Sequence, residues 1–149
     1  MVLNTLKWRQ EFGIDLLSAR QIERHFKQGK NYHHGTDYAG RPVAVMRVRL
    51  DSNEDIDGKL KIMLYQIERA IRLMDKSKGV EQAVWLVDCA DFPAYFLGPS
   101  HVSMAMSLIQ ILSNHYPERL GALYIVNAPW IFHSTVMAQS ALLCPLFSL

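Results

Sequence analysis

Tyr116-Pro117-Glu118-Arg119-Leu120-Gly121 runs directly into Ala122-Leu123-Tyr124-Ile125-Val126 and then Asn127-Ala128-Pro129. Pro117 stops a preceding helix and Gly121 turns the chain. The five residues that follow form an unbroken apolar run of strand length, as expected for a strand covered on both faces. A second such run, Ala83 to Val87, ends at Asp88. Between the two runs, Gly98-Pro99 breaks the chain and Ser100 is placed to cap a helix reaching about His115. The apolar residues of that helix, Val102 to Leu112, spread too widely for one stripe. Both of its sides should be buried, or one should line an apolar pocket.

Upstream, Pro42 opens a strand to Leu50, in which Ala44, Met46, Val48 and Leu50 alternate with Arg47 and Arg49. A helix from about Lys59 to Lys76 follows, with Leu60, Met63, Leu64, Ile67, Ile71 and Met74 on one face. Its stop signal is Lys76, Lys78 and Gly79. Two short N-terminal helices are expected, from Leu3 to Phe12 and from Ser18 to about Gln28. The latter opens on a Ser18/Gln21 capping box. The order strand, helix, strand, helix, strand implies an α/β fold with a mostly parallel sheet and right-handed crossovers. Ligands in such sheets sit beyond the carboxyl ends of the strands, here Asp88 to Phe92 and Asn127 to Phe132.

The 149 residues suit one domain with a sizeable core, and a net charge of +2 leaves no electrostatic footprint for nucleic acid. Hydrophobic residues make up 50 %, yet no apolar stretch reaches the roughly 20 residues that cross a bilayer. The two cysteines, Cys89 and Cys144, lie far apart without CxxC spacing, which argues against a disulfide framework or zinc site and for a reducing cytoplasmic setting. The strand ends carry no GxGxxG or GxxxxGK[ST] loop, so backbone cradling of phosphates has no candidate. Phe92 and Phe132 point instead to an apolar crevice.

Catalytic and metal readings find little support. Gly98-Pro99-Ser100-His101-Val102 lacks the final glycine of a nucleophile elbow and lies ten residues from its strand. Asn53 to Gly58 resembles the start of a calcium loop, but the closing position is Leu64 rather than glutamate. His33 and His34 are adjacent on a strand and face opposite ways, which suits a polar strand edge better than a metal. Asp88 and Asp91 read as turn caps.

Taken in order, Leu6-Lys7-Trp8-Arg9-Gln10-Glu11-Phe12-Gly13, His34-Gly35-Thr36-Asp37, Gly40-Arg41-Pro42-Val43, Val80-Glu81-Gln82, Val87-Asp88, and the YPERLG and YIVNAP segments are similar to the CRAL-TRIO lipid-binding domain. That family contains the phosphatidylinositol transfer proteins. The resemblance spans roughly residues 3 to 133. It implies enclosure of one lipid, with acyl chains in an apolar pocket and a gate for exchange, and neither catalysis nor a cofactor. The partners implied are a phospholipid and, transiently, a membrane surface.

By the same resemblance Glu118 belongs to an inositol headgroup site, and Tyr65 matches a tyrosine that approaches phosphatidylcholine. Trp85 and Ala83 stand where the family holds phosphocholine with hydroxyl residues, and His33 and Ala44 replace two choline-pocket tyrosines. Phosphatidylinositol is therefore the expected ligand, with Glu118, Tyr65, Trp85, Phe92, Tyr124 and Phe132 expected to touch it. The ends depart from the family. Residues 1–29 read as the end of a helical N-terminal region, 30–133 as a partial lipid-binding domain, and 134–149 as a divergent apolar tail. The chain thus reads as a shortened form, and the exposed tail is a surface for a membrane or another protein chain.

Overall fold

A computed structural model describes residues 2–18, 20, 23, 27, 29–51 and 55–129. The expected second helix (18–28), Phe132 and the apolar tail lie largely or wholly outside them. Among the described residues four strands, β1 (Asn31–Thr36), β2 (Pro42–Arg47), β3 (Ala83–Asp88) and β4 (Leu120–Val126), form one sheet in that spatial order. β2, β3 and β4 run parallel, as expected, and β1 adds an antiparallel strand outside β2. Asp37 fixes the hairpin between them. Its carboxylate accepts from the backbone of Ala39 (3.0 Å) and Arg41 (2.8 Å) and from Arg41 Nε (2.8 Å). Gly40 supplies the left-handed backbone, at φ 78°, that this turn requires.

Both crossovers are helical. Following α1 (Val2–Phe12), helix α2 spans Ile56–Leu73 and α3 spans Pro99–His115. Helix α2 starts three residues before the expected Lys59, because the Asp55 side chain accepts from the Gly58 backbone at 2.9 Å. It also ends earlier than expected, and Lys76–Lys78 form a separate 3-10 turn closed at Gly79. In α3 the capping position belongs to Gly98, with Pro99 opening the helix, so Ser100 is not the cap. Proline's fixed φ and missing N–H suit that first position.

The strand expected to reach Leu50 stops at Arg47, and Val48–Leu50 tighten into a 3-10 turn that buries Val48 and delivers Asp51 inward. Nor are the parallel strands covered throughout on both faces. In β3 only Ala83 and Val84 are fully buried, and β4 is an edge strand among the described residues, with Tyr124 and Val126 exposed. Gly121 lies within β4 rather than at a turn. Arg41 passes so close that a Cβ there would stand 2.7 Å from Arg41 Nη1 and 3.0 Å from the Gln82 Cβ.

The core joins α1, α2, α3 and the sheet. Ile14, Leu64, Ile67 and Tyr116 form its centre, with Trp8, Phe12 and Trp85 packed around them. Trp8 stacks flat on His115 at 4.2 Å and meets Tyr116 edge-on at 5.9 Å. Beneath, Glu68 Oε1 accepts from Arg9 Nη1 and from the Tyr116 hydroxyl, each at 2.7 Å. Burial and the bond to Glu68 hold the Tyr116 phenol well above its usual range, so it stays a donor.

At the carboxyl ends of β2 and β3 lies a second polar centre. Asp51 pairs with Lys30 through one oxygen and with Lys59 through the other (2.5 Å), all three side chains being nearly inaccessible. Lys59 also meets the ring of His101 at 3.0 Å, while Tyr95 donates to the Asp51 carbonyl at 2.9 Å. The rings of Tyr95 and Phe96 each lie 5.5 Å from the Lys59 ammonium. Burial, and then the Lys59 charge, lower the pKa of His101. Burial pushes the Lys30 ammonium down from the usual lysine range while Asp51 pulls it back up.

Removing Asp51 leaves two buried ammonium groups without a counter-charge. Asp51→Ala is expected to cost about 3–5 kcal/mol in chemical denaturation; a loss below about 1 kcal/mol would show that water replaces the carboxylate. His33, whose ring nitrogens are buried, gives a second prediction. Burial, then the Arg69 charge, lower its pKa from 6.5 to about 4. In the pH window between those values the unfolded chain binds the proton and the folded one does not, so stability falls with acidification. The slope from this residue is at most about 1.4 kcal/mol per pH unit. His101 adds in the same direction, so His33→Phe should reduce the slope without abolishing it. An unchanged pH profile in that variant would refute the assignment.

Candidate functional site

Residues directly opposite in register share a face of the sheet, and the register fixes which side chains meet the helices. Ala44, Trp85 and Leu123 fall in one row across β2, β3 and β4, and Met46, Val87 and Ile125 in the next. Met46, Trp85, Val87 and Leu123 floor a cavity of about 360 Å³. Its walls are Ile67, Ile71 and Met74 from α2 and Leu108, Ile109 and Leu112 from α3. The lining is almost wholly apolar. Pro117, Glu118 and Arg119, all exposed, form a polar rim on one side.

This cavity does not lie beyond the carboxyl ends of the strands. Ala83 and Leu120, the first residues of β3 and β4, line it together with Tyr116 and Met74 from the ends of α3 and α2. The opposite end is stopped by the Lys30–Asp51–Lys59 centre and the Tyr95 and Phe96 rings over it. What remains there is a shallow hollow bordered by Cys89, Asp91, Phe92, Leu97 and Asn127.

The residues expected to touch ligand are accordingly divided. Trp85 forms part of the floor and Glu118 stands on the rim. Phe92 borders the shallow hollow, its ring 5.4 Å from Phe96. Tyr65 is half-buried on α2 and does not line the cavity. Tyr124 pairs in register with Leu86, one residue out of step with the Trp85–Leu123 row, and so belongs to the opposite face. Phe132 lies outside the described residues. The methionines Met46, Met63 and Met74 join the lining although none was expected to touch ligand. All three carry the periodic signal of an inward face.

Glu118 adopts φ 60°, a left-handed conformation uncommon for residues other than glycine and asparagine. Among the described residues it is in no ion pair. Its neighbour Arg119 donates instead to the Glu81 carbonyl at 3.0 Å. Among the described residues the carboxylate therefore stands at the cavity mouth without a basic partner.

The other polar candidates find structural uses. Asp88 accepts from the Ala90 backbone at 3.0 Å and the Asn127 amide at 2.9 Å, which caps the turn after β3 as expected. Asp55, from the calcium-like segment, caps α2. Among the described residues no His, Cys, Asp or Glu group is arranged to hold a metal, and no helix is long and apolar enough to cross a membrane.

Comparison with known proteins agrees with this architecture. The CRAL/TRIO domain family matches residues 26–146. The phosphatidylinositol transfer protein PDR17 of Saccharomyces cerevisiae is 29 % identical over 136 residues, covering 85 % of this chain and 38 % of the relative. The Sec14 cytosolic factor of Schizosaccharomyces pombe is 28 % identical, over 90 % of this chain and 52 % of the relative. The crystal structure of Sfh5 superposes with a TM-score of 0.73 at 18 % identity, over 94 % of this chain and 52 % of that one, a likeness of fold. The chain thus spans about half, or less, of the length of these relatives. With a mostly parallel sheet, two crossover helices and an apolar cavity between them, this chain belongs to the CRAL/TRIO domain family.

Proposed function

We propose that this chain binds a phospholipid, phosphatidylinositol foremost, and carries or senses it without catalysing a reaction. The observation that supports the reading is an apolar cavity with a carboxylate at its mouth that has no ion-pair partner among the described residues, in a chain whose relatives include phosphatidylinositol transfer proteins. The cavity lies at the small end of the range for ligand pockets, about 300–1,000 Å³. It therefore takes acyl chain and leaves the headgroup at the rim. Each methylene withdrawn from water contributes about 0.8 kcal/mol, so modest insertion gives useful affinity. At the rim, Glu118 accepts hydrogen bonds from inositol hydroxyls and Arg119 offers positive charge to the phosphodiester. Loading and release take place in transient contact with a membrane surface, from a cytoplasmic pool.

A second reading, a docking module for a membrane or protein without transfer, draws on α3. That helix exposes Val102, Met106 and Ile109 and contains no Asp, Glu, Lys or Arg. Vesicle binding without lipid extraction would favour it.

Native mass spectrometry of gently purified protein should show close to one phospholipid per chain. Protein that carries no lipid and takes none from phosphatidylinositol vesicles would overturn the carrier reading. Because residue 118 is exposed, Glu118→Lys should weaken phosphatidylinositol uptake by about tenfold, about 1.4 kcal/mol, at an unchanged melting temperature. A fall in melting temperature of several degrees with intact uptake would make the residue structural.

A further inference from the structure

The cavity is long and narrow. Met63, Ile67, Ala70, Ile71 and Met74 line it along one face of α2, a run of about three turns, or about 16 Å at 1.5 Å per residue. Spread over that length, its volume of about 360 Å³ leaves a mean cross-section of roughly 22 Å². A methylene occupies about the volume of a water molecule in the liquid, roughly 30 Å³. It advances an extended chain by about 1.2 Å, a third of the rise of an extended residue. One hydrocarbon chain therefore has a cross-section of about 25 Å². The hollow matches one such chain in width and holds on the order of a dozen methylenes. Two chains side by side need twice the width.

A second chain finds no equal place among the described residues. The carboxyl end of the sheet is stopped by the Lys30–Asp51–Lys59 centre and the rings over it. The hollow beyond that centre is shallow and has Asp91 and Asn127 on its border. What remains is the outer side of α3. Val102, Met106 and Ile109 recur there at helical spacing and are 50 %, 56 % and 39 % exposed. A chain laid along that stripe keeps water on its other side, so it gains only part of the free energy of burial.

We propose that the cavity selects a phospholipid with one acyl chain over a phospholipid with two, burying about a dozen methylenes of the single chain while the headgroup stays at Glu118 and Arg119. This rests on the reading of the cavity as a phospholipid site and names the class of phospholipid that it takes.

The test compares lauroyl lysophosphatidylinositol with dihexanoyl phosphatidylinositol, which have the same headgroup and the same number of acyl carbons. Each, held below its micelle-forming concentration, displaces a fluorescent fatty-acid probe from the whole chain. The protein should prefer the single-chain lipid by at least tenfold. In a series of lysophosphatidylinositols from octanoyl to palmitoyl, affinity should rise about fourfold per methylene and level off near lauroyl. Ala70→Leu adds three carbons to the cavity wall, and in a variant of unchanged melting temperature should move the levelling point about three methylenes shorter.

Equal binding of the two isomeric lipids shows that the cavity takes two chains; it overturns the selectivity and leaves the phospholipid reading intact. An affinity that keeps rising to palmitoyl, or a levelling point that Ala70→Leu does not move, places the chain outside the cavity and overturns it too. Failure of every lipid to displace the probe, with no phospholipid co-purifying, removes the lipid site and the selectivity together. The lipid pair and the chain-length series use the unaltered protein, so the test does not depend on how the variant folds.

Discussion

One carboxylate in the middle of α2 sets the geometry around it. Glu68 takes a proton donor from α1 through Arg9 and another from Tyr116, at the junction of α3 and the rim turn. A buried anion is tolerated only when hydrogen bonds replace its water, so the three segments are held together by the need to satisfy it. Trp8 stacks on His115 above this point and keeps water from competing. The tyrosine that begins the YPERLG segment is therefore a structural anchor. It places Pro117, Glu118 and Arg119 at the cavity mouth.

The two ends of the sheet are built on opposite principles. At the carboxyl end, two lysines share one aspartate under aromatic rings, and space that parallel α/β sheets often leave for ligands is filled. At the amino end, aliphatic and thioether side chains from α2 and α3 surround a hollow instead of filling it. Charge held without water at one end makes a rigid stop, and the absence of charge at the other leaves room for hydrocarbon. The exposed, uncharged side of α3 continues this apolar character to the surface.

Much of this arrangement was legible in the residues. Periodicity located β3, β4 and both crossover helices, with errors confined to their ends. Those ends moved for local reasons, such as the Asp55 cap and the proline opening α3. The YPERLG and YIVNAP segments identified the family. The inward face was harder to read, because a continuous apolar run such as Ala122 to Val126 has no polar alternation to say which residues turn inward. Trp85 falls on the face that floors the cavity and Tyr124 on the opposite one, since a shift of one residue reverses the face. The location of the cavity was also missed. Lys30, Asp51 and Lys59 are too widely separated in the chain to announce that they meet, and nothing local marks the carboxyl end as closed.

Arg41 crossing over Gly121 ties together two segments eighty residues apart in the chain. Any side chain added at 121 occupies the volume the guanidinium now uses, and with Gln82 close by there is little slack to absorb it. A side chain at 121 therefore makes the guanidinium swing aside, and in doing so draws it away from Asp37. The first hairpin and the last described strand are thus coupled through one flexible side chain, and a chimera that exchanges one of them alone disturbs the turn of the other.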